Sequence, residues 1–246
     1  EPGPECAVVT YKNKRIAITV CEDLWNVGES PIYSRSPMDS LAGQSPDFVV
    51  NISASPFSDE HREHRMEAFR ENALRHGLPV IFVNHVGAQT ELIFDGGSFV
   101  MDAGGNLSDE LKYFEEEIRC VTLDDSSAAP RLQEHTGKTE RIHDALVLGM
   151  RDYFRKSGLD TAILGVSGGI DSAVTLALAA RALGKDRVRA VLLPSKFSSG
   201  HSVDDAKALA ENIGCVHDTI NIEGVASSVE AALNPYFEGR EADVTE

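Results

Sequence analysis

The chain has 246 residues, of which 42% are hydrophobic and 25% are charged, a composition typical of folded globular proteins. Its formal net charge of −16 argues against nucleic acid and anionic membranes as partners, because both attract positively charged surfaces. No apolar run reaches the roughly 18 residues of a membrane-spanning helix, and the length allows one large domain or two smaller ones.

Strand patterns dominate the first half of the chain. The runs "CAVVTY" and "RIAITV" flank the short polar turn "KNK", which predicts a β-hairpin. The β-branched and aromatic runs at residues 47–53 and 78–84 are long enough for buried strands and too short for helices. Further along, "GGSFVMDAGGNL" predicts another hairpin with its turn at "AGGN", and "IRCVTL" predicts a last strand.

The segment between those two buried runs, "SDEHREHRMEAFRENALRHG", predicts an amphipathic helix. Its apolar residues recur at helical spacing and its charged residues lie elsewhere, while Gly77 is a helix stop signal. The residues expected on the buried face are Met66, Phe69, Ala73 and Leu74.

Helices and strands alternate in the second half, after a polar stretch at 126–138 that predicts a linker. A helix is predicted at 139–157, and "TAILGV", "RVRAVLLP" and "VHDTINI" predict strands. "SVDDAKALAENIG" predicts a helix with Ser202 and Asp205 as its capping box. This alternation predicts a parallel sheet with right-handed crossovers. The apolar residues at helical spacing in the first of these helices are Ile142, Leu146, Met150 and Tyr153.

The segment "AILGVSGGIDSAV" places a Gly-Gly turn between a predicted strand and a predicted helix. Its glycines let backbone N–H groups approach a ligand closely, and the helix N-terminus behind them favours an anion. Ser167 and Ser172 can add hydroxyl donors. Asp171 would repel a phosphate unless a cation intervenes, which favours Mg²⁺ between them. The alternative is a carboxylate that only stabilises the first helical turn.

The hexapeptide "SGGIDS" after a strand resembles the pyrophosphate loop of the N-type ATP pyrophosphatases, and "LLPSKFSSGHSVDDAKALAENIG" resembles the segment that follows in NAD synthetases. The resemblance covers about residues 138–225 and implies an ATP site with Mg²⁺ at Asp171. For Lys196 two interpretations stay open, a phosphate contact and a solvated loop cation. The residues that the resemblance assigns to ATP are Ser167, Gly168, Gly169, Ile170, Asp171, Ser172 and, beside the adenine, Leu193.

Cys21 ends the predicted strand "RIAITV", where the chain leaves the sheet. A thiol there can face a pocket, and a thiolate is a strong nucleophile near neutral pH. The ordinary interpretation of a cysteine is a small buried hydrophobic residue, which we expect for Cys6, Cys120 and Cys215. The acidic residues after Cys21 disfavour a thiolate, so its activation would need a base and a cation from elsewhere.

"CEDLWN" resembles the nucleophile segment of the nitrilase-like glutaminase domains that precede NAD synthetase domains, and "VVNISASPF" and "FVNHVGAQTELIFDGGSFV" agree with that family. The resemblance covers about residues 5–123. It implies that Cys21 attacks glutamine, forms a glutamyl thioester and releases ammonia, with a Glu base and a Lys oxyanion partner that the family carries upstream. It also implies that Glu22 and Ser55 hold the amino-acid end of glutamine and that Trp25 walls the pocket.

The α-carboxylate of glutamine requires a cationic partner. Arg62 is assigned to glutamine and Arg65 is a nearby alternative, while a surface charge is the other interpretation of both. Glu91 and Asp95 are expected to shape the loop "ELIFDGG", with a direct role at the site as the alternative for both.

Together the resemblances imply an α/β protein with two domains. Residues 1–125 would form the C-terminal part of a nitrilase-like αββα sandwich, 126–138 a linker, and 139–246 the N-terminal part of a parallel-sheet, Rossmann-like ATP pyrophosphatase domain of the adenine-nucleotide α-hydrolase type. The implied function is NAD synthesis from glutamine, ATP and deamido-NAD, in a cytoplasmic homo-oligomer with reduced thiols.

Two alternatives stay open. One is another nitrilase-like carbon–nitrogen hydrolase or ATP pyrophosphatase amidotransferase. The other is a catalytically incomplete nucleotide-binding fragment, expected if the chain is truncated at both ends and lacks the upstream Glu and Lys.

Overall fold

The computed structural model describes residues 7–28, 36–123, 129–134 and 137–237. The chain divides into two compact units, Glu1–Tyr153 and Phe154–Glu246. The boundary lies inside one helix, α3 (Lys138–Ser157). The domain limits expected from the sequence, with their linker at 126–138, remain a prediction.

Among the described residues, the first unit contains a mixed sheet of six strands in the order β1-β2-β3-β4-β7-β8. Strands β2, β3 and β4 run parallel, and the other neighbours pair antiparallel. Strands β5 and β6 form a separate hairpin that the sequence did not predict. The elements in chain order are β1 (Val8–Tyr11), β2 (Lys14–Val20), α1 (Pro37–Ala42), β3 (Phe48–Ser53), α2 (His61–His76), β4 (Val80–Asn84), β5 (Val86–Gln89), β6 (Leu92–Asp95), β7 (Phe99–Met101) and β8 (Leu107–Glu110).

Both hairpins predicted in the first half are confirmed. Strands β1 and β2 pair through a turn in which Lys12 and Asn13 have φ values of 46° and 64°. Two positive φ values give the turn a twist that matches paired strands. Strands β7 and β8 also pair antiparallel, and the buried runs at 47–53 and 78–84 form β3 and β4.

Helix α2 packs on one face of the sheet and forms the core with it. The ring of Phe69 lies 4.9 Å from that of Phe82 and 5.2 Å from that of Phe99. Gly77 ends the helix with φ 63°, as predicted. The predicted burial of Leu74 is wrong: it is 57% exposed at the edge of the helix, beside Gly105 in the β7–β8 turn.

The opposite face of this sheet is apolar and exposed. Ile18, Val20, Ile52 and Val83 are 41%, 58%, 52% and 45% exposed. The register places Val20 beside Ile52 and Ile52 beside Val83, so the exposed side chains form a continuous row. Sheets of parallel strands are normally covered on both faces, and this one is covered by helix on one face alone within the described residues.

The predicted last strand "IRCVTL" is wrong. Residues 118–123 form no strand, and Ile118 is 99% exposed. The free edge of β8 is instead occupied by Arg131, whose backbone exchanges hydrogen bonds with Ser108 and Glu110. A β-branched run therefore stays unpaired because another segment has taken the available edge.

Helix α3 spans the predicted helix, and three of the four apolar residues noted at helical spacing are exposed. Ile142, Leu146 and Tyr153 are 37%, 46% and 59% exposed. The buried side carries Asp152, whose Oδ2 accepts the Ala88 N–H at 2.9 Å. The buried side of this helix therefore combines the apolar residues Ala145, Val147 and Leu148 with a carboxylate that is hydrogen-bonded to the β5–β6 hairpin.

The second unit confirms the predicted parallel sheet. Strand β10 lies between β9 and β11, and all three run parallel within the described part of the chain. Gly184 ends α4. The elements after α3 are β9 (Ala162–Gly165), α4 (Ile170–Leu183), β10 (Val188–Leu192), α5 (Gly200–Ile213), β11 (Val216–Thr219) and α6 (Glu223–Phe237), the last of which was not predicted.

Helix α5 begins earlier than the sequence predicted. Its N-cap is Ser199, whose Oγ accepts the Ser202 N–H at 3.1 Å. The predicted capping box of Ser202 and Asp205 is therefore wrong, because Ser199 already satisfies the first free N–H groups.

No helix in the described ranges is long and apolar enough to cross a membrane.

Candidate active sites

The parallel strands of the first unit end at one edge of the sheet, where polar residues follow them. Cys21 comes directly after β2, Ser55 lies two residues after β3, and Asn84 closes β4. The carboxyl ends of parallel strands are where open α/β sheets bind ligands. The sheet therefore brings the predicted nucleophile and the predicted glutamine-binding Ser55 to the same edge.

Cys21 stands at a sharp, strained bend. It has φ 49° and starts the 3₁₀ turn Cys21–Leu24. A residue with a Cβ in this left-handed conformation loses about 1–2 kcal/mol, and such strain clusters at functional sites. Its carbonyl oxygen accepts a hydrogen bond from Asn51 Nδ2 at 3.3 Å, and the Val20 N–H donates to Asp23 Oδ2 at 2.7 Å.

Trp25 packs near the segment that follows Ser55. Its ring lies 5.4 Å from that of His61, and His61 Nδ1 lies 2.9 Å from the carbonyl oxygen of Pro56. Ser55 is 4% exposed, and its N–H donates to Asn84 Oδ1 at 2.9 Å. His61 thus connects the predicted pocket wall to the predicted glutamine-binding loop, while Glu22 is exposed on the 3₁₀ turn.

Arg62 lies in a polar cluster next to this region. Its Nε donates to the Tyr113 hydroxyl at 2.9 Å and its Nη2 to Glu110 Oε1 at 2.8 Å. Tyr113 also donates to Glu110 at 2.7 Å, and burial raises the pKa of the Tyr113 hydroxyl, which keeps it a neutral donor. These contacts fix Arg62 in place, and its role toward glutamine stays a prediction.

Arg65 is neither a surface charge nor open to glutamine. Its side chain is fully buried, and its two terminal nitrogens donate to Asp95 at 3.2 and 3.0 Å. Asn84 Nδ2 donates to the same carboxylate at 3.1 Å. Asp95 is therefore a structural residue, as expected, and it links α2 to the ends of β4 and β6.

Several buried polar residues at this edge were not predicted from the sequence. Thr19, Asn51, Ser53 and Asn84 are all less than 9% exposed. A signal was present, because single polar residues interrupt the apolar runs "FVVNIS" and "VIFVN". Polar side chains in a buried strand require hydrogen-bond partners, and here those partners lie around the Cys21 and Ser55 backbone.

The other cysteines differ from one another. Cys215 is buried, as expected, and burial raises the pKa of its thiol. The expected burial of Cys120 is wrong, since it is exposed in the unpaired segment after β8. Cys6 lies outside the described residues.

In the second unit, the predicted phosphate loop joins β9 to α4. Gly168 has φ 83°, and a Cβ there would lie 2.2 Å from the Ser202 carbonyl oxygen. The Ser167 and Gly169 N–H groups donate to Ser172 Oγ and Ser167 Oγ at 3.2 and 3.3 Å. No side chain caps α4 within the described residues, so the N–H groups of its first turn can receive an anion.

A cavity of about 230 Å³ opens beside this loop. It lies at the ends of β9 and β10, the edge where such sheets bind ligands. Ser167 and Leu193 both line it, so the structure brings together a predicted phosphate residue and the predicted adenine neighbour. The lining residues are Gly165, Val166, Ser167, Val191, Leu192, Leu193, Pro194, Ser198, Ser202 and Val203.

Charged residues around the loop have distinct positions. Asp171 is exposed in the first turn of α4, next to Ile170, which is 74% exposed. Lys196 Nζ pairs with Glu230 Oε2 of α6 at 2.6 Å, and this hydrogen bond raises the pKa of Lys196. In this arrangement Lys196 is anchored to α6, and its contact with phosphate stays a prediction.

The chain also matches a known protein family. The family model described as NAD synthase matches residues 142–243. A Synechocystis protein named glutamine-dependent NAD(+) synthetase is 41% identical over 240 residues, which is 93% of this chain and 42% of that protein. A Thermotoga maritima protein of the same name is 35% identical over 282 residues, covering 100% of this chain and 48% of the relative.

A solved structure of a protein with the same name also matches the chain. The glutamine-dependent NAD+ synthetase from Acinetobacter baumannii, in complex with ADP, superposes with a TM-score of 0.86 at 31% identity, over 100% of this chain and 46% of that one. The chain therefore spans about half the length of the relatives that it matches.

Proposed function

Because the chain belongs to the glutamine-dependent NAD(+) synthetase family, we propose that the whole protein makes NAD from deamido-NAD, ATP and glutamine. The observation that carries this proposal is the pairing of two sites on one chain. A strained Cys21 follows a strand end in the first unit, and an uncapped helix N-terminus behind Gly168 and Gly169 borders a cavity in the second. One site would release ammonia and the other would consume it.

In the first reaction, Cys21 Sγ attacks the carboxamide carbon of glutamine. The thiol proton passes to a general base and then to the departing nitrogen, so that ammonia leaves and a glutamyl thioester remains. Water then hydrolyses the thioester to glutamate. Ser55, Trp25, Glu22 and Arg62 would hold glutamine, and the Glu base and Lys oxyanion partner would come from upstream of this chain.

In the second reaction, the nicotinate carboxylate of deamido-NAD attacks the α-phosphorus of ATP, which releases pyrophosphate. Ammonia then displaces AMP from the adenylated carboxyl carbon to give the amide of NAD. The free N–H groups at the start of α4, with Ser167 and Ser172, would hold the phosphates, and Leu193 would pack beside the adenine.

The residues at this loop fit a magnesium ion bound together with ATP. Mg²⁺ takes oxygen ligands and is usually held by one or two carboxylates plus substrate phosphates. Asp171 is exposed at the loop and offers such a carboxylate, although no group of three His, Cys, Asp or Glu converges anywhere in the described ranges. The ion would neutralise phosphate charge.

The same proposal includes a cytoplasmic location and a homo-oligomer. Apolar residues of α6 support association with another surface, because they recur at helical spacing and stay exposed. They are Val225, Val229, Leu233 and Tyr236, at 68%, 53%, 46% and 81% exposure.

The test is a product assay on the full-length protein with ATP, Mg²⁺, deamido-NAD and either glutamine or ammonia. We expect NAD with both nitrogen sources, with one AMP and one pyrophosphate per NAD. Asp171→Ala should abolish synthesis from both sources, while Asp186→Ala, an exposed acidic residue in the turn after α4, should leave it intact. Formation of AMP and pyrophosphate with another acceptor, and none with deamido-NAD, would replace this proposal by a different amidotransferase.

A further inference from the structure

A chain of buried polar side chains lies next to the Cys21 backbone. Thr19 and Asn51 are fully buried and Ser53 is 8% exposed. The Ser53 hydroxyl donates to Asn51 Oδ1 at 2.6 Å, and Asn51 Nδ2 donates to Thr19 Oγ1 at 3.0 Å and to the Cys21 carbonyl oxygen at 3.3 Å. Thr19 sits beside Asn51 in the register of β2 and β3, so the chain crosses between neighbouring strands.

These side chains interrupt an otherwise apolar layer. Ala17, Val49 and Phe82 occupy the same face of the sheet and belong to the core. Burying a hydroxyl or an amide costs free energy unless it is hydrogen-bonded, so apolar residues of similar size would pack here at lower cost. In the described parts of β2 and β3 these polar groups lie toward the carboxyl ends of the strands, and Asn51 joins them to the carbonyl of Cys21.

The hydrogen-bond chemistry fixes the direction of the chain. A backbone carbonyl oxygen only accepts, so the Asn51 amide must present Nδ2 to Cys21 and leaves Oδ1 for a donor. The Ser53 hydroxyl supplies that donor, and Thr19 Oγ1 accepts from Nδ2 while donating to the Val50 carbonyl at 3.4 Å. Asn51 is therefore held in one orientation by its neighbours.

We propose that Asn51 is a positioning residue for the Cys21 nucleophile, oriented by Thr19 and Ser53. Its bond to the Cys21 carbonyl restrains the left-handed bend from the core side, while Asp23 restrains it from the other side through the Val20 N–H. An attacking atom must lie about 3–3.5 Å from its target in the right direction, so a relaxed bend misaligns Sγ. The inference rests on the proposed role of Cys21.

The test compares full-length variants in glutamine-driven and ammonia-driven NAD formation. Asn51→Leu removes the amide at similar size, and we expect the glutamine-driven kcat to fall about 100-fold. The KM for glutamine should change less than about threefold, since the fully buried Asn51 would act through Cys21 and not on the substrate, and the ammonia-driven rate should stay unchanged. Thr19→Val and Ser53→Ala should show smaller losses of the same kind. Met101→Ala, a core change on β7 away from the polar chain, should not separate the two rates.

Two results would overturn the proposal: a folded Asn51→Leu variant that keeps the wild-type glutamine-driven kcat, or one that loses both rates equally. If Asn51→Leu does not fold, Thr19→Val and Ser53→Ala decide by the same criteria. Cys21→Ala is assayed alongside, because its retention of the glutamine-driven rate would refute the proposed function instead. In that case the positioning of Cys21 can still be tested by the rate at which iodoacetamide alkylates its thiol. We expect slower alkylation in Asn51→Leu than in wild type, and an unchanged rate would contradict the inference.

Discussion

Replacing Gly168 with alanine should damage the second unit through two separable effects. The residue has φ 83°, where a Cβ costs about 1–2 kcal/mol. The new Cβ would also lie 2.2 Å from the carbonyl oxygen of Ser202 and 2.7 Å from its Cα. Both are backbone atoms of α5, so no side-chain rotation can relieve the overlap.

Other glycines of the same unit serve as controls that separate the two effects. Relieving the overlap requires the loop and α5 to move apart, and overpacking of this kind costs about 1–3 kcal/mol. Gly168→Ala should therefore lose about 2–5 kcal/mol in total. Gly214 ends α5 in the left-handed conformation with φ 80°, and a Cβ there would meet only the flexible Lys185 side chain at 3.4 Å. Gly214→Ala should therefore lose only about 1–2 kcal/mol. Gly224, in α6 with neither feature, should lose nothing.

The assays are chemical denaturation of the full-length protein, followed through the unfolding of this unit, and calorimetric titration with ATP. Gly168→Ala should also weaken ATP binding, because the loop N–H groups shift with it, whereas Gly224→Ala should not. If Gly168→Ala were no more destabilising than Gly214→Ala, the close approach of the loop to α5 would be refuted. Full ATP affinity in a destabilised Gly168→Ala variant would refute the placement of phosphates in this loop.

Three further changes test the first unit by unfolding measurements. Cys21→Gly should be more stable than Cys21→Ala by about 1 kcal/mol, because glycine adopts φ 49° without a Cβ penalty; the reverse order would show that the bend is unstrained. Arg65→Met should cost about 3–5 kcal/mol by leaving Asp95 buried without its partner, and adding Asp95→Leu should recover much of that loss; a negligible cost of the single change would contradict the buried pair. Burial lowers the pKa of His76 below its ordinary value of 6.5, so its contribution to stability is present above that pH and declines as the pH falls. Between about pH 8 and pH 5 wild type should therefore lose more stability than His76→Gln, and equal losses would refute this contribution.

Local patterns predicted most of the strands and the turn between β9 and α4. A buried strand needs only a short β-branched run, as in β3 and β4, and "SGGIDS" carries its turn and helix start within six residues. The same reasoning failed where several segments compete for one partner. "IRCVTL" has the composition of a strand, but Arg131 occupies the edge of β8, and only the folded chain decides that competition.

In the candidate site, too, features that are local in sequence were predicted and features that depend on distant residues were not. Cys21 became a candidate because it ends a predicted strand and begins "CEDLWN", a segment that carries the family resemblance. Its support could not be predicted, since Asn51 lies 30 residues from Cys21 along the chain. The burial of Arg65 could not be predicted either, because its partner Asp95 lies 30 residues away along the chain. Polar residues in buried positions are explained only by the partners that the fold brings to them.

The most direct test of the account is the ratio of glutamine-driven to ammonia-driven NAD formation in the full-length Cys21→Ala variant. If Cys21 is the nucleophile that releases ammonia for a separate ATP-dependent site, the glutamine-driven rate should fall by more than about 1000-fold. The ammonia-driven rate should stay at the wild-type value, because the second site is untouched. Equal retention of both rates, or equal loss of both in a folded variant, would contradict the account.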